Sequence, residues 1–296
     1  MNAPLQIACV RTAPRVLSFL GTLALAACAS APAEPKAPAA EAVSPGSGAA
    51  PSGSVRVLSA DTQVLQRPTT ATFRGRDLWV AIGQLSVLFG SDGSQPALPF
   101  QALSLPLDGG NLGAQKVALP GPDYYPEGTA SAEDGTLFIG SIMQGAIVKV
   151  AAGSTEAQPF IAKPTVRRGV IGLTVDAKRQ LLWFCDSNPK LDDAHKAGDL
   201  VGVQLSDARE VVRHTLSRAE DKAPFCNDVI VGPDGDLWFT ENFANKIGRM
   251  APDGTMLGEY DIPTPNSDAR CIAAMSDGRF FFTQCGAGLI GEVIPR

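Results

Sequence analysis

The sequence is short of the residues that most enzymes use for proton transfer: it has two histidines, His195 and His214, in 296 residues. No serine, histidine and aspartate form a legible catalytic triad, and no cysteine spacing matches a zinc finger. Asn188-Pro, Asn242-Phe-Ala and Asn266-Ser-Asp fit neither a glycosylation nor a nucleotide motif. Lysine and arginine total 25 against 30 acidic residues, a net charge of −5, and form no basic stripe interleaved with aromatics. Nucleic acid is therefore excluded as a partner class. Beyond residue 27 no run is apolar enough to span a bilayer, and helix formers are not in excess.

What is present begins with an export signal. Arg11 and Arg15 precede a short apolar core, Val16 to Ala27, too short for a membrane span. It ends in Leu25-Ala-Ala-Cys28, which resembles the lipobox of bacterial lipoproteins. The resemblance implies a signal peptide over 1–27 and lipidation of Cys28; a signal cut nearby, with Cys28 incidental, is the alternative. Residues 28–54 are dominated by Ala, Pro, Ser and Gly, with no aromatic residue. Such a segment cannot bury enough apolar surface to offset its ordering entropy, so it reads as a disordered tether. The expected location is the cell envelope, at the outer membrane or facing the periplasm, with the membrane contacted through the lipid anchor only. Cys185, Cys226, Cys271 and Cys285 remain beyond the tether, an even number in an oxidising compartment, with three pairings open.

Residues 55–296 suit one domain, and internal repeats indicate its architecture. Asp134-Gly-Thr-Leu-Phe138, Asp234-Gly-Asp-Leu-Trp238 and Asp277-Gly-Arg-Phe-Phe281 are each a turn leading into an apolar strand. Arg179-Gln-Leu-Leu-Trp183 keeps the frame without glycine, and Gly75-Arg-Asp-Leu-Trp79 shortens it. Further strands follow each turn, such as Ile247 to Met250 and Leu257 to Ile262. Four short antiparallel strands per repeat, tiled along the chain, predict an all-β fold, a β-propeller whose blades stack around an axis. Five repeats are countable. The last lacks a fourth strand, which Val55 to Leu58 would supply. A β-sandwich would share the turn spacing but not the recurring frame. Long excursions interrupt repeats one and three, at Ser86 to Pro99 and Ser187 to Asp199, the second carrying Asp192, Asp193 and His195.

Aligned repeats place equivalent residues at equivalent heights. Eleven residues before each anchor aromatic lies a first ring: Glu127, Gly172, Asn227 and Arg270, with Thr70 near it in repeat one. Three residues after the anchor lies a second: Ile82, Ser141, Asp186, Glu241 and Gln284. Antiparallel pairing predicts that both rings share one mouth of the central channel, with Asp228 beside them. Carboxylates and amide oxygens converging there suit a hard divalent cation, calcium or magnesium, held by Glu127, Asn227 and Asp186. Asp228, Glu241 and Arg270 are the candidate catalytic residues, the carboxylates for water or proton handling and Arg270 for an anion or developing oxyanion. A polar channel in which Arg270 merely neutralises Glu127 and Glu241 is the bland alternative.

Two families are resembled at these residues. Asn227-Asp-Val-Ile-Val-Gly-Pro-Asp-Gly-Asp-Leu-Trp-Phe-Thr-Glu241, followed by Ala244-Asn-Lys-Ile-Gly-Arg-Met250 and Pro263-Thr-Pro-Asn-Ser267, looks like a repeat of the streptogramin (virginiamycin B) lyases. That resemblance implies a propeller with magnesium at its active rim. It also implies a first-ring histidine and a second-ring glutamate fourteen residues later. Here Asn227 pairs with Glu241 and Arg270 with Gln284, and no histidine occupies the first ring. Tyr125-Pro-Glu-Gly-Thr129 and Phe225-Cys-Asn-Asp-Val229 are similar to the gluconolactonase, senescence-marker and luciferin-regenerating group. This second resemblance implies six blades and a central metal on Glu127 and Asn227. The aspartate that completes its metal set falls near Arg270 and is missing. The combined expectation is a metal-dependent hydrolase of small-molecule lactones or esters. The alternative is a non-catalytic propeller binding a ligand or an envelope protein, and a streptogramin-type lyase is a distant third.

Overall fold

The computed structural model describes residues 9–11, 64–65, 67–90, 93–107, 113–164, 169–189, 198–216 and 225–294. Cys28, the 28–54 tether, Val55 to Leu58, Asp192, Asp193 and His195 lie outside these residues, as does the signal segment apart from 9–11. Cys9–Arg11 (β1) runs parallel to the next strand, Cys9 opposite Thr70.

Five antiparallel blades follow, each wound outward from its first strand. Blade one comprises β2 (Thr70–Arg74), β3 (Asp77–Ile82), β4 (Gln101–Pro106) and β5 (Lys116–Ala118). The one described helix, α1 (Leu85–Leu88), sits in its excursion between β3 and β4. Blade two is β6 (Pro126–Ser131), β7 (Leu137–Ser141), β8 (Ile147–Val150) and β9 (Gln158–Ile161). Blade three is β10 (Gly169–Asp176), β11 (Leu181–Ser187), β12 (Gly198–Gln204) and β13 (Glu210–Leu216). Blade four is β14 (Cys226–Val231), β15 (Leu237–Glu241), β16 (Lys246–Met250) and β17 (Met256–Asp261). Blade five has β18 (Ala269–Ala274), β19 (Phe280–Gln284) and β20 (Leu289–Val293) among the described residues. The fold is a five-bladed β-propeller, so the sixth blade suggested by the gluconolactonase resemblance is absent.

The repeated turn explains why the frame recurs. Gly135, Gly235 and Gly278 adopt φ of 82°, 84° and 89°, a region that side chains disfavour. Each closes a turn by donating its N–H three residues back, as Gly135 does to Ala132. The preceding aspartate accepts the next amide but one, as Asp134 Oδ1 does from Thr136 at 2.8 Å. In blade three Gln180 occupies the same slot at φ 56°, without the conformational ease of glycine.

Alternation along the second strand then builds the core. Side chains of successive residues leave opposite faces of a blade. The anchors Trp79, Phe138, Trp183 and Trp238 face the following blade. Their successors in the later blades, Ile139, Phe184, Phe239 and Phe282, face back toward the preceding one. Four hydrophobic clusters result, one at each interface from blade one/two to blade four/five. A fifth, with Leu78, Val80 and Leu103, lies on the face of blade one opposite Trp79. Innermost strands pack in the order β2, β6, β10, β14, β18, which surrounds the axis.

Candidate functional site

The innermost strands of blades two to five each carry a β-bulge at the same height. Pairing passes from Pro126 opposite Ser141 to Thr129 opposite Ile139, leaving Glu127 and Gly128 against Gly140 alone. The same slip leaves Ile171–Gly172 against Cys185, Asn227–Asp228 against Thr240, and Arg270–Cys271 against Thr283. A bulge bends its strand and re-aims a side chain. The residue before each bulge pairs with the second ring: Ser141, Asp186, Glu241 and Gln284. Both rings therefore do meet at one end of the channel. The bulge itself was not legible from repeat spacing, and counting eleven residues back slips by one in blade three: Ile171, not Gly172, is the first bulge residue there, because its hairpin is one residue longer.

In blades two to four the second residue of the bulge faces the next blade. A Cβ on Gly128 would lie 1.9 Å from the carbonyl oxygen of Ile171, and one on Gly172 would lie 2.5 Å from Asp228 Oδ1. Blades two and three have no room for a side chain there. In blade four the slot holds Asp228, only 4% exposed. Its Oδ1 accepts the Val229 amide at 2.9 Å and its Oδ2 accepts the Ile272 amide of blade five at 3.1 Å. Asp228 thus clamps two inner strands together and directs both oxygens at backbone amides. Hydroxyls complete the stitching. Thr240 Oγ1 accepts the Asp228 amide at 3.0 Å and donates to the Arg270 carbonyl at 2.7 Å. Thr70 Oγ1 donates to the Glu127 carbonyl.

The remaining sequence candidates separate into two neighbourhoods. Glu127, Asn227 and Arg270 stand half-buried on the bulges, at the rim. The Arg270 Nε donates to Asp268 Oδ2 at 3.0 Å and its Nη2 lies 2.8 Å from the same oxygen. Asn242 Nδ2 donates to the other oxygen of Asp268 at 3.2 Å. The loop carrying Asp268 is held by Asn245, whose Oδ1 accepts from the Ser267 amide at 2.8 Å and the Ser267 hydroxyl at 2.7 Å. Its Nδ2 donates to Ile262 and Thr264 carbonyls. Glu241 is fully buried, opposite Cys226. Cys226 is disulfide-bonded to Cys185, and the bridge joins blades three and four just under the rim. That selects one of the pairings left open, with Cys271 and Cys285 outside any disulfide.

Asp186 belongs to the second neighbourhood. Its Oδ2 accepts from Arg213 Nη1 at 3.0 Å, and the same nitrogen reaches Asp199 Oδ2 at 2.5 Å. Arg213 Nη2 also reaches Glu210 at 2.7 Å. Hydrogen bonds to Glu210 first, then to Asp186 and Asp199, hold the guanidinium well above its ordinary pKa against the opposing effect of burial. His214, next to Arg213, lies on the outermost strand of blade three, away from the rim.

These contacts bear on whether a divalent cation fits. A hard cation takes six to eight oxygen ligands, most from clustered carboxylates and carbonyls. Asp186 is turned to Arg213, and Asp228 to two amides. Among the described residues no three His, Cys, Asp or Glu side chains converge as a metal site. Glu127 and Asn227 remain as rim donors, which is two of the three predicted. Sequence reasoning passed over Asn242, Asn245, Asp268 and Arg213. The first and third were legible in principle: Asn242 follows a second-ring residue and Asp268 precedes Arg270 by two.

The profile of the virginiamycin B lyase family matches residues 112–296. The chain belongs to the virginiamycin B lyase family. No curated protein matches it. Among solved structures, a streptogramin B lyase is 21% identical, with a TM-score of 0.57, over 78% of this chain and 69% of that one. A catalytically inactive histidine-to-alanine variant of virginiamycin B lyase from Staphylococcus aureus, with quinupristin, is 19% identical. Its TM-score is 0.58, over 77% and 67%. Hydrazine synthase from Kuenenia stuttgartiensis is 14% identical with a TM-score of 0.51, over 73% and 55%. At these identities the likeness to solved structures carries the fold alone.

Proposed function

We propose that this member of the virginiamycin B lyase family is an envelope-anchored propeller that binds a small polar or anionic ligand at its bulged rim, without lyase chemistry. One observation carries the reading. The family frame is intact, yet its ring slots hold Glu127, Ile171, Asn227 and Arg270, then Ser141, Asp186, Glu241 and Gln284, with no histidine among them. Elimination needs a base placed against the substrate proton. Of the candidate carboxylates, Asp228 serves backbone amides, Asp186 serves Arg213 and Glu241 is sealed from solvent, which leaves Glu127 at the rim. Arg270 is different: Asp268 and Asn242 hold it in place while 31% of its side chain stays exposed. A guanidinium fixed in this way suits a carboxylate or phosphate. The Cys185–Cys226 bridge supports an oxidising compartment, in keeping with export and with lipidation at Cys28.

A second reading, the metal-dependent lactone or ester hydrolase, draws on Glu127 and Asn227, which occupy equivalent bulge slots in blades two and four. In that case Glu127 and Asn227 would hold calcium or magnesium and the metal would polarise a carbonyl. One experiment separates the readings. The purified domain is assayed for metal content, screened by thermal shift against sugar acids, short carboxylates and lactones, and incubated with quinupristin and a lactone panel with and without calcium. Ligand-dependent stabilisation lost in Arg270→Ala, with no turnover, is the expected result. Calcium-dependent lactone opening lost in Glu127→Ala would establish the hydrolase instead, and opening of quinupristin would restore the lyase.

A further inference from the structure

The two cysteines outside the disulfide are placed as a pair. Cys271 is the second residue of the blade-five bulge, next to Arg270. Cys285 follows Gln284, the second-ring residue of the same blade, and its amide donates to the Asp268 carbonyl at 3.2 Å. Both use one hydroxyl. The Cys271 amide donates to Thr283 Oγ1 at 3.1 Å, and the Cys285 sulfur lies 3.7 Å from that same oxygen. Both residues are half-buried, so neither is sealed from small oxidants. The chain already holds one bridge at the same height, Cys185–Cys226, between blades three and four.

The geometry points to a redox-modification site at the rim: Cys271 and Cys285 form a second, reversible disulfide that ties the Arg270 bulge to the end of β19. The chemistry is thiol–disulfide exchange with a small-molecule disulfide such as oxidised glutathione. One cysteine thiolate attacks the oxidant, its S–S bond breaks, and one glutathione thiol leaves. The second cysteine displaces the other glutathione. Two protein thiols are oxidised to one disulfide while one glutathione disulfide is reduced to two thiols. The bridge would join the two segments that present Arg270 and Gln284, so the mouth would be stiffer when oxidised. A half-buried bridge of this kind would be reduced more readily than the buried Cys185–Cys226 bond. The inference does not depend on what the rim binds, because its readout is the bond itself.

The test uses the purified, exported protein. It is treated with oxidised glutathione, alkylated with N-ethylmaleimide, and digested with trypsin without reduction. Cleavage after Arg270 and Arg279 puts Cys271 in peptide 271–279 and Cys285 in peptide 280–296. The expected result is a cross-linked pair of these two peptides, with intact mass lowered by two hydrogens before digestion. Mild dithiothreitol should release this pair while the Cys185–Cys226 peptides stay joined. Recovery of both cysteines as maleimide adducts after oxidation would overturn the inference, as would separate glutathione adducts or exchange with Cys185 or Cys226. Cys271→Ser and Cys285→Ser are run as two independent controls, so misfolding of one leaves the other decisive.

Discussion

Replacing Asp228 by alanine is expected to destabilise the propeller, not to remove a catalytic base. The carboxylate is buried and receives two amides, from Val229 at 2.9 Å and from Ile272 of the neighbouring blade at 3.1 Å. Hydrogen bonds to a charged group contribute about 1.5–3 kcal/mol each, and the stranded amides would remain buried. Two such losses come to roughly 3–6 kcal/mol by that scale. Relief from burying a carboxylate offsets part, leaving a net loss of about 2–4 kcal/mol. For a domain of this size the midpoint of thermal unfolding should fall by roughly 4–16 °C. Asp228→Asn keeps one acceptor and should lose about half as much. The assay is urea unfolding followed by tryptophan fluorescence, which suits the case because Trp79, Trp183 and Trp238 are all buried at blade interfaces. The transition midpoint should shift with an unchanged slope. A loss below about 1 kcal/mol for alanine, less than one such bond contributes, would refute the clamp. If ligand binding vanished while stability held, Asp228 would have to act at the rim after all.

Three other outcomes follow from the same geometry. Gly172→Ala puts a methyl group 2.5 Å from Asp228 Oδ1 and 2.6 Å from its Cα, so the inner strands must part. A loss of about 1–3 kcal/mol in urea unfolding is expected. Arg213→Met leaves Asp186 and Asp199 buried without their counter-charge, at a cost of about 3 kcal/mol. Arg213→Lys should recover only part of it, since an ammonium cannot reproduce the guanidinium fork. Removing the Cys185–Cys226 bridge by double alanine substitution should cost about 2–5 kcal/mol in urea unfolding, measured against the oxidised wild-type protein.

Much of the fold was legible because it is written locally. Strand positions came from alternation and from turns that use Gly135, Gly235 and Gly278 at positive φ. The third and fourth strands of blade four fall within a residue of where the pattern placed them. The two rings came from counting residues from an anchor aromatic, which works in blades two, four and five and misses by one residue in blade three, whose longer hairpin puts Ile171 in the slot given to Gly172. Roles at the rim were much less legible. Asp228 and Asp186 read as site carboxylates by position, yet their partners are Ile272 and Arg213, residues 44 and 27 positions away. No local pattern carries that information.

By itself, then, the sequence determined a five-repeat all-β propeller, the height at which its polar residues gather, and the absence of a histidine from the first ring. These follow from periodicity and residue identity, which are properties of short windows. Only the tertiary structure decided which carboxylates are available, which cysteines are bridged, and that a bulge re-aims every first-ring side chain. The physical reason is that burial and hydrogen bonding belong to pairs of residues on different strands and blades. A carboxylate becomes a ligand donor, a base or a strut according to what packs against it. At this rim, one buried aspartate is a strut between blades, another is tied to an arginine on the outer strand, and Arg270 is held in place with part of its side chain facing solvent.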